Sequence, residues 1–391
     1  MLVAACAVFA WPVDSPLEAQ PGGHLVGDSA WASAFLVCAA AGLAAYVGGT
    51  LLLARRPVRV AVVVVLAAAI QAAPLGAPLL LSTDAWSYWD YGRIAAVHEA
   101  NPYRDPPEAF PGDPAFRYVG EDWRDSTSVY GPAFTLASEP LARAAGSSAD
   151  AAAWIYKALG AAAVLAAALL AARVSRRPAL AAAFVGWNPL LALHFGGGGH
   201  NDAWMAALVV GALAAGASGR RHVAGAAWAV ATFVKWVPLV FLPLRALQAR
   251  ATGRSGGHAG FLVAAAVLAG LATWRYGRHW LEAFGLLARN ANQETRFALP
   301  HRLEQLGSPR WLAIALLAML FVVAYAWLLR EAARGRARVG LAAGLLLLAV
   351  PYLAPWYAVW AVPLAAADDD PEAQILAVAI CAYLLPQTVP L

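Results

Sequence analysis

The stretch WLAIALLAMLFVVAYAWLL, residues 311–329, decides which class of fold this chain adopts. It contains no charged side chain and no proline. An apolar run of about 18 residues or more is typical of a helix that crosses a lipid bilayer. A basic segment, residues 330–338, follows at once, and basic connections are typical of the cytoplasmic side of a membrane. The stretch therefore predicts a transmembrane helix whose C-terminal end lies in the cytoplasm.

The composition extends this prediction to the whole chain. Of its 391 residues, 61% are hydrophobic and 13% are charged, whereas a soluble domain carries about 25% charged residues. Apolar runs occupy residues 30–54, 58–81, 151–172, 179–195, 203–217, 223–244, 259–272, 311–329, 340–367 and 374–391. Because lipid offers no partner to an exposed backbone amide, such runs must be helical. We predict an all-α, polytopic transmembrane bundle of about 10–12 spans, in a single domain that covers the chain.

The N-terminal residues form a shorter apolar segment. Residues 1–13 cannot make a full span, and no basic residue precedes them as it would in a secretory leader. We expect a shortened first transmembrane helix, as a misplaced start codon would leave, and not a cleaved leader.

The charge pattern predicts which connections lie on each side of the membrane. The net charge is +5, and the basic residues cluster between apolar runs, so we interpret them as topology signals and not as a nucleic-acid surface. The clusters at residues 55–59, 173–177, 220–221 and 330–338 are expected in the cytoplasm. Residues 82–149, 196–202 and 275–310 then lie outside. The closely spaced Asp368, Asp369 and Asp370 could hold a metal, but we rank that alternative below a solvated external loop.

One apolar run conflicts with this alternation. Residues 220–221 and 245–254 both have the basic character of cytoplasmic connections, yet the run between them could cross only once. Pro238 and Pro243 would break a helix there. We therefore predict a re-entrant pair of half-helices over residues 223–244. Lys235 would lie towards the cytoplasm and extend its long side chain to water, although an ionisable group at membrane depth is also a candidate functional residue.

The first long external segment, residues 82–149, carries the clearest chemistry. Asp84 follows an apolar run and stands where a helix would meet water. In a helix, Asp84, Ser87, Tyr88 and Tyr91 share one face, because their spacing is i, i+3, i+4 and i+7. Aromatic rings can stack on a sugar while a carboxylate accepts a hydroxyl proton, which favours a sugar site. The alternative is that Asp84 only caps the helix that follows.

Short motifs along the chain resemble those of a known superfamily. With Asp84, Tyr88 and Tyr91, the motifs Asn101-Pro102-Tyr103 and Tyr130-Gly131-Pro132 resemble the first external loop of GT-C superfamily glycosyltransferases. Later motifs are similar to those of the actinobacterial polyprenyl-phosphate-mannose-dependent mannosyltransferases. They are Trp187-Asn188-Pro189, His200-Asn201-Asp202, Lys235 with Pro238, and Pro355-Trp356-Tyr357 with Trp360.

This resemblance implies a GT-C-like membrane enzyme whose site faces the outside of the cell membrane, in long loops with short interfacial helices. It implies a polyprenyl-phosphate sugar donor, with mannose as the sugar, and a hydroxyl acceptor on a cell-envelope glycolipid or glycan. The general base of such families is the acid at the start of the first external loop, and that role falls on Asp84. Tyr88, Tyr91 and His200-Asn201-Asp202 are the expected substrate-binding residues. A single carboxylate that promotes direct displacement would invert the anomeric carbon, so a β-linked donor would give an α product.

The acids of this loop depart from the family pattern. Many relatives have two adjacent acids or an acid directly before a tyrosine, whereas Asp84 precedes Ala85. Asp90 is the competing candidate for the base, about 9 Å along a helix and about 120° around it. We rank Asp84 first because it lies nearer the apolar run.

The leaving lipid phosphate needs a cationic partner. The second external segment, residues 275–310, is rich in arginine, and within it we predict Arg289, Arg296, His301 and Arg302 as the phosphate-binding set. The alternative for each residue is contact with lipid headgroups.

No other pattern predicts a cofactor or a metal. The sequence has no Gly-rich phosphate loop of the Walker type and no His pair at helical metal spacing. The three cysteines have no short pair spacing. His194, inside an apolar run, is expected to be buried and hydrogen-bonded. Residues 252–257 are predicted to be a flexible connector.

Two other functions fit part of the sequence. A transporter or lipid flippase would also combine many helices, an intramembrane lysine and a broken helix, although no internal repeat is apparent. A transferase of another lipid-linked sugar, arabinose or glucose, would share every feature described, because one scaffold serves many substrates.

Overall fold

The computed structural model describes residues 1–12, 14–23, 29–56, 58–253, 257–285 and 295–389. These residues form helices and turns, with an isolated antiparallel bridge between Glu18 and Leu80. The helices, numbered along the chain, are α1 (Leu2–Val8), α2 (Ser29–Arg55), α3 (Val60–Ala72), α4 (Asp84–Ala96), α5 (Pro132–Ala145), α6 (Ala149–Val174), α7 (Pro178–Gly186), α8 (Pro189–Gly197), α9 (Asp202–Ala217), α10 (Arg221–Val234), α11 (Leu242–Ala251), α12 (His258–Tyr276), α13 (Leu299–Gln305), α14 (Arg310–Ala333), α15 (Val339–Ala349), α16 (Val362–Asp368) and α17 (Pro371–Leu384). The predicted all-α fold is confirmed. The connector predicted at residues 252–257 lies partly outside the described residues.

Among the described residues, four helices are long and apolar enough to cross a membrane: α2, α6, α12 and α14. Helices α7 and α8 meet the same test together, with a bend of 45° between them. The helical membrane bundle is therefore confirmed, but the described residues do not supply the ten to twelve full-length spans that we predicted. Most other apolar runs are divided into shorter helices, because prolines interrupt their hydrogen-bond ladders. Helix α9 is uninterrupted, but its 16 residues are too few for a full span.

The bend between α7 and α8 has a local cause. Pro189 has no N–H to donate, and the side-chain oxygen of Asn188 accepts hydrogen bonds from the N–H groups of Leu190 at 3.0 Å and Leu191 at 3.2 Å. The indole of Trp187 donates to the Val63 carbonyl of α3 at 3.0 Å. The Trp-Asn-Pro motif thus ends one half-helix and caps the next.

The run 340–367 folds into a hairpin and not into one continuous helix. Pro351 and Pro355 lie in the segment that separates α15 from α16. The beginning of α15 packs against the end of α16. A Cβ on Gly340 would lie 2.5 Å from the backbone nitrogen of Ala365, so only glycine allows this contact. Small residues at a helix interface permit such an approach inside membranes. The tip of the hairpin, residues 350–361, is consequently directed to the opposite end of the bundle.

The acidic turn at residues 368–370 corrects our topology. We expected a solvated external loop, but these aspartates contact the connections that the basic clusters assign to the cytoplasm. Asp369 accepts a hydrogen bond from the Arg176 N–H at 2.6 Å, and Asp370 binds the Arg338 guanidinium through two contacts of 2.6 and 2.7 Å. The prediction failed because the hairpin returns to the side from which it enters, which an alternating count of spans cannot anticipate.

The re-entrant pair predicted over residues 223–244 stays a prediction, and the positions of α10 and α11 agree with it. Both helices line one cavity at the basic end of the bundle, α10 through Arg221 and α11 through Gln248. The Gln248 amide also donates to the Gly335 carbonyl, in the connection before α15, at 3.0 Å. Lys235 follows α10 directly and thus lies at the far end of a 14-residue helix, about 20 Å from the basic end. Lys235 therefore lies at the end of the bundle away from the basic connections, and not beside them as we expected.

Candidate active site

Helix α4 presents the acid that the sequence singled out. Asp84 is its first residue, so Asp84, Ser87, Tyr88 and Tyr91 share a face as predicted. Thr83 is the N-cap, and the Asp84 carboxylate caps no backbone N–H. Its Oδ2 instead contacts the Nδ1 of His200 at 3.1 Å and accepts a hydrogen bond from the Tyr88 hydroxyl at 3.3 Å. The capping interpretation therefore does not describe this residue.

The turn between α8 and α9 delivers His200 to Asp84. Gly197 packs so closely that a Cβ there would meet the Leu80 side chain at 2.6 Å, and Leu80 donates its N–H to the Gly197 carbonyl at 3.1 Å. Gly199 has φ +71°, a conformation that glycine adopts without strain. These glycines let the turn pack directly against the segment that leads into α4. The same close packing brings His200 to Asp84.

A second acid, Asp202, forms the other half of the polar cluster. Its Oδ1 accepts hydrogen bonds from the Lys235 ammonium and from the Trp360 indole, each at 2.6 Å. The ammonium also lies 4.9 Å from the centre of the Tyr357 ring and 5.6 Å from that of Trp360. Desolvated cation–π contacts stabilise a buried ammonium. The hairpin tip therefore holds the lysine that ends α10.

Aromatic side chains surround the two acids. Trp356 stacks on the His200 ring with centroids 3.8 Å apart and 12° between the planes. Tyr88 meets Tyr130 edge-on at 5.0 Å. Tyr130, Trp356 and Tyr357 are half-buried, and the Asp84 side chain keeps 25% exposure. The site thus combines a partly exposed acid with partly exposed ring faces that a sugar can stack against.

The Asp84 carboxyl is held in its ionised form. Burial acts to raise its pKa, but the His200 hydrogen bond and the His200 and Lys235 charges outweigh burial and lower the pKa below its usual value. Oδ2 contacts the Tyr88 hydroxyl and the His200 ring, and a hydrogen bond with the Ser82 side chain also lowers the pKa of this carboxyl. An ionised, partly exposed carboxylate is suited to accept a proton from a ligand hydroxyl.

Several buried polar atoms beside Asp84 lack a protein partner within the described part of the chain. They are the Nε2 of His200, both side-chain amide atoms of Asn201 and the Oδ2 of Asp202. Buried polar groups in native proteins are nearly always hydrogen-bonded. Three consecutive, fully buried residues beside Asp84 therefore carry unused hydrogen-bonding capacity. His194, expected to be hydrogen-bonded, has no partner for either ring nitrogen in this part of the chain.

The remaining predicted residues lie further from Asp84 or outside the described chain. Tyr91 donates its hydroxyl to the Ser126 carbonyl at 2.8 Å and reaches the cluster only through the Tyr130 ring, at 6.2 Å. Arg289 lies outside the described residues. Arg296 and Arg302 both stack on the Phe297 ring at 4.8 Å, and His301 pairs with Glu304 at 3.7 Å. The structure brings Asp84, Tyr88, His200, Asn201 and Asp202 together. Arg296, His301 and Arg302 make the contacts just described within residues 296–304 instead.

Two lysines and two tryptophans were absent from the predicted site. Lys235, Trp356 and Trp360 join the cluster, and Lys157 of α6 lies behind it. Lys157 is 2% exposed and donates to the carbonyls of Leu75 at 3.1 Å, Ala77 at 2.5 Å and Pro78 at 3.3 Å. The available signal was an ionisable residue inside an apolar run, which marks a functional or positioning role by default.

Asp90, the competing acid, is 1% exposed and faces the other side of α4. Burial and the nearby Asp113 carboxylate raise the pKa of Asp90 to about 7. The Asp90 side chain is thus much less exposed than that of Asp84. The geometry therefore favours Asp84 as the reactive carboxylate.

Comparison with known proteins assigns the family. No curated protein and no solved structure matches the chain. A family model described as "Alpha-(1->6)-mannopyranosyltransferase, N-terminal domain" matches residues 1–251, and one described as "MptB C-terminal domain" matches residues 300–390. The first region supplies Asp84, His200 and Lys235, and the second supplies Trp356 and Trp360. The chain therefore belongs to the alpha-(1->6)-mannopyranosyltransferase family of membrane-bound mannosyltransferases.

Proposed function

We propose that this mannosyltransferase transfers mannose, with inversion, from a polyprenyl phosphate to a hydroxyl of a cell-envelope glycolipid or glycan. The observation that carries the proposal is the ionised, partly exposed Asp84 carboxylate. His200 and Tyr88 hold this carboxylate beside a cluster of aromatic side chains. Transfer requires a base for the acceptor hydroxyl, surfaces for two sugars and a cation for the leaving phosphate. The cluster contains all three.

In the proposed reaction, Asp84 Oδ1 takes the proton from the acceptor oxygen as that oxygen bonds to the anomeric carbon. The bond between the anomeric carbon and the phosphate oxygen breaks, and the electron pair leaves with the phosphate. His200 donates to Oδ2 and keeps the carboxylate ionised and oriented. Attack opposite the leaving group converts a β-linked donor into an α product, which agrees with the linkage in the family description.

We propose that Lys235 helps to balance the negative charge of the leaving phosphate, together with the arginine set predicted from the sequence. Lys235 is 17% exposed and stands beside the acid, and Asp202 uses only one of its three N–H donors. The phosphate-binding role of the arginine-rich set stays a prediction. That set consists of Arg289, Arg296, His301 and Arg302. Tyr88, Tyr91, Asn201 and Asp202 are proposed to bind the sugars. The site is proposed to face the outside of the cell.

The transfer assay uses membranes that contain the protein, radiolabelled polyprenyl-phosphate mannose and the native acceptor lipids. We expect Asp84→Asn to lower the rate by about 10² to 10⁴, the usual contribution of a general base. Asp90→Asn is the matched control, because it makes the same isosteric change on the same helix, and it should retain transfer. Undiminished transfer by Asp84→Asn would refute the mechanism.

The donor class is tested separately with the wild type. Polyprenyl-phosphate mannose should support transfer, whereas a nucleotide-linked mannose should not. If the enzyme prefers the arabinose or glucose derivative of the same lipid, the proposed mechanism stands but mannose is not the transferred sugar. A Lys235→Met variant should need about tenfold more donor for half-maximal rate, because a charge-assisted hydrogen bond is lost, while Lys235→Arg should recover part of that loss.

A further inference from the structure

A large cavity lies at the end of the bundle opposite the candidate active site. Its volume is about 960 Å³. Helix α9 begins at the active site with Asp202 and reaches this cavity at Ala212–Ala217, while α10 begins in the cavity at Arg221 and ends beside Lys235. Helices of this length separate their two ends by about 20 Å. The cavity is therefore a separate site, and the transfer reaction proposed above does not use it.

The cavity wall is amphipathic. Basic side chains from four connections line it, namely Arg176, Arg221, Arg245, Arg336, Arg338 and His258. Apolar side chains form the remaining wall, among them Trp228 and Leu213, both buried, and Phe261. Phe261 belongs to α12, whose next residues, Leu262 and Val263, are exposed as expected for a lipid-facing helix. A ligand that fits this wall carries negative charge at one end and hydrocarbon at the other.

The acids of the cavity are already engaged by the chain itself. Asp370 and Glu372 bind Arg338 at 2.6–2.7 Å. Asp369 accepts from the Ser175 hydroxyl and the Arg176 N–H, and Asp368 accepts from the Gly340 N–H at 2.8 Å. Arg338 balances the charge of Asp370 and Glu372, whereas Asp368 and Asp369 are held by neutral donors. The five arginines of the lining still outnumber its four acids, which favours an anion over a cation.

Two guanidinium groups remain available to a ligand. Arg176 contacts the acidic turn through its backbone only, and its side chain is exposed and has no hydrogen bond or ion pair among the described residues. The Arg221 side chain is exposed, and its contact with the neighbouring His222 ring, at 3.4 Å, does not balance its charge. Guanidinium groups bind phosphate oxygens with two parallel hydrogen bonds.

We propose that this cavity binds the headgroup of an anionic phospholipid, with Arg176 and Arg221 on the phosphate and an acyl chain against Trp228 and Phe261. The basic connections that surround it indicate the cytoplasmic leaflet, where anionic lipids are attracted to arginine. The bound lipid would connect the end of α6 to the ends of α10 and α12, which already pack closely on each other through Gly225, Gly257 and Gly260.

Native mass spectrometry of the delipidated full-length protein tests this site, with phosphatidylglycerol and phosphatidylcholine added in equal amounts. We expect the wild type to retain phosphatidylglycerol preferentially. The double variant Arg176→Gln with Arg221→Gln should lose about 25-fold in that preference, since each arginine near an anionic lipid contributes about fivefold. The matched control changes the sequence neighbours Arg177→Gln and Arg220→Gln, which carry the same charge but do not line the cavity, and it should stay within about twofold of wild type.

The alternatives have distinct outcomes. Equal losses in the two double variants would mean that only overall charge attracts the lipid, and this would overturn the site. Displacement of phosphatidylglycerol by millimolar inorganic phosphate would identify a soluble anion site instead and would also overturn the proposal. Thermal unfolding in detergent checks that each variant folds, and if the double variant does not, the single variants Arg176→Gln and Arg221→Gln should each show about a fivefold loss.

Discussion

The contacts on Asp84 keep its carboxyl group ionised and oriented. Oδ2 is held by His200 and Tyr88, and Ser82 also forms a hydrogen bond with the carboxylate. Because the His200 contact lowers the pKa of Asp84 against the opposing effect of burial, removal of the imidazole should let burial dominate. The carboxylate is needed ionised, so activity is present above its pKa and lost as the pH falls through it.

We therefore expect His200→Ala to move the acid limb of the pH–rate profile to higher pH, in addition to lowering the rate at neutral pH. The measurement is the rate of mannose transfer between about pH 4 and 8, near the usual pKa range of a carboxyl group. His279→Ala is the control, since His279 pairs with Glu282 in the second loop. An acid limb that stays in place would show that His200 does not set the ionisation of Asp84.

Asp90 gives a stability prediction of known sign. Its folded-state pKa, about 7, is raised above the ordinary value of 3.8. The stabilisation due to its protonated form is complete below pH 3.8 and is lost as the pH rises through 7. Asp90→Asn removes the charge, so it should raise the melting temperature in detergent by several degrees at pH 8 and by less at pH 5, given a shift worth up to about 4 kcal/mol. A larger gain at pH 5 than at pH 8 would contradict the assigned burial.

Among the elements, α6 positions the active site through Lys157. Its ammonium binds three carbonyls of the segment that precedes α4, and leaving buried carbonyls without a donor costs about 1–3 kcal/mol. Lys157→Met should therefore lower both thermal stability and transfer rate, whereas Ala158→Met, on the same helix, should not. Transfer reduced without loss of stability would support a direct substrate contact instead of the positioning role.

Local elements were predictable from the sequence, and their partners were not. The shared face of Asp84, Tyr88 and Tyr91 follows from helical periodicity alone, and Pro238 and Pro243 marked the broken helix correctly. Lys235 was misplaced because its depth depends on where α10 begins in the membrane. Trp356 and Trp360 reach the cluster only because the run 340–367 turns back, and hydropathy does not distinguish a hairpin from a span when both are apolar throughout.

For the whole molecule, the active site is assembled from distant parts of the chain. The N-terminal region provides the acids and the lysine, and the C-terminal region provides the aromatic wall. Helices α6, α9 and α10 join this end to the basic end, so the orientation of either end fixes that of the other. Because basic connections are typical of the cytoplasmic side, we propose that Asp84, at the opposite end, lies outside.

Cysteine labelling tests this orientation on a background from which Cys6, Cys38 and Cys381 have been removed. Asp125→Cys lies in the exposed part of the first loop, and Arg177→Cys and Arg250→Cys are exposed at the basic end. A membrane-impermeant maleimide should label Asp125→Cys on intact cells and the other two only after permeabilisation. Labelling of Arg250→Cys alone among the basic-end positions would refute the re-entrant pair formed by α10 and α11. Labelling of both basic-end positions, with Asp125→Cys protected, would turn the active site to the cytoplasm and remove the basis for a lipid-linked donor at the outer face.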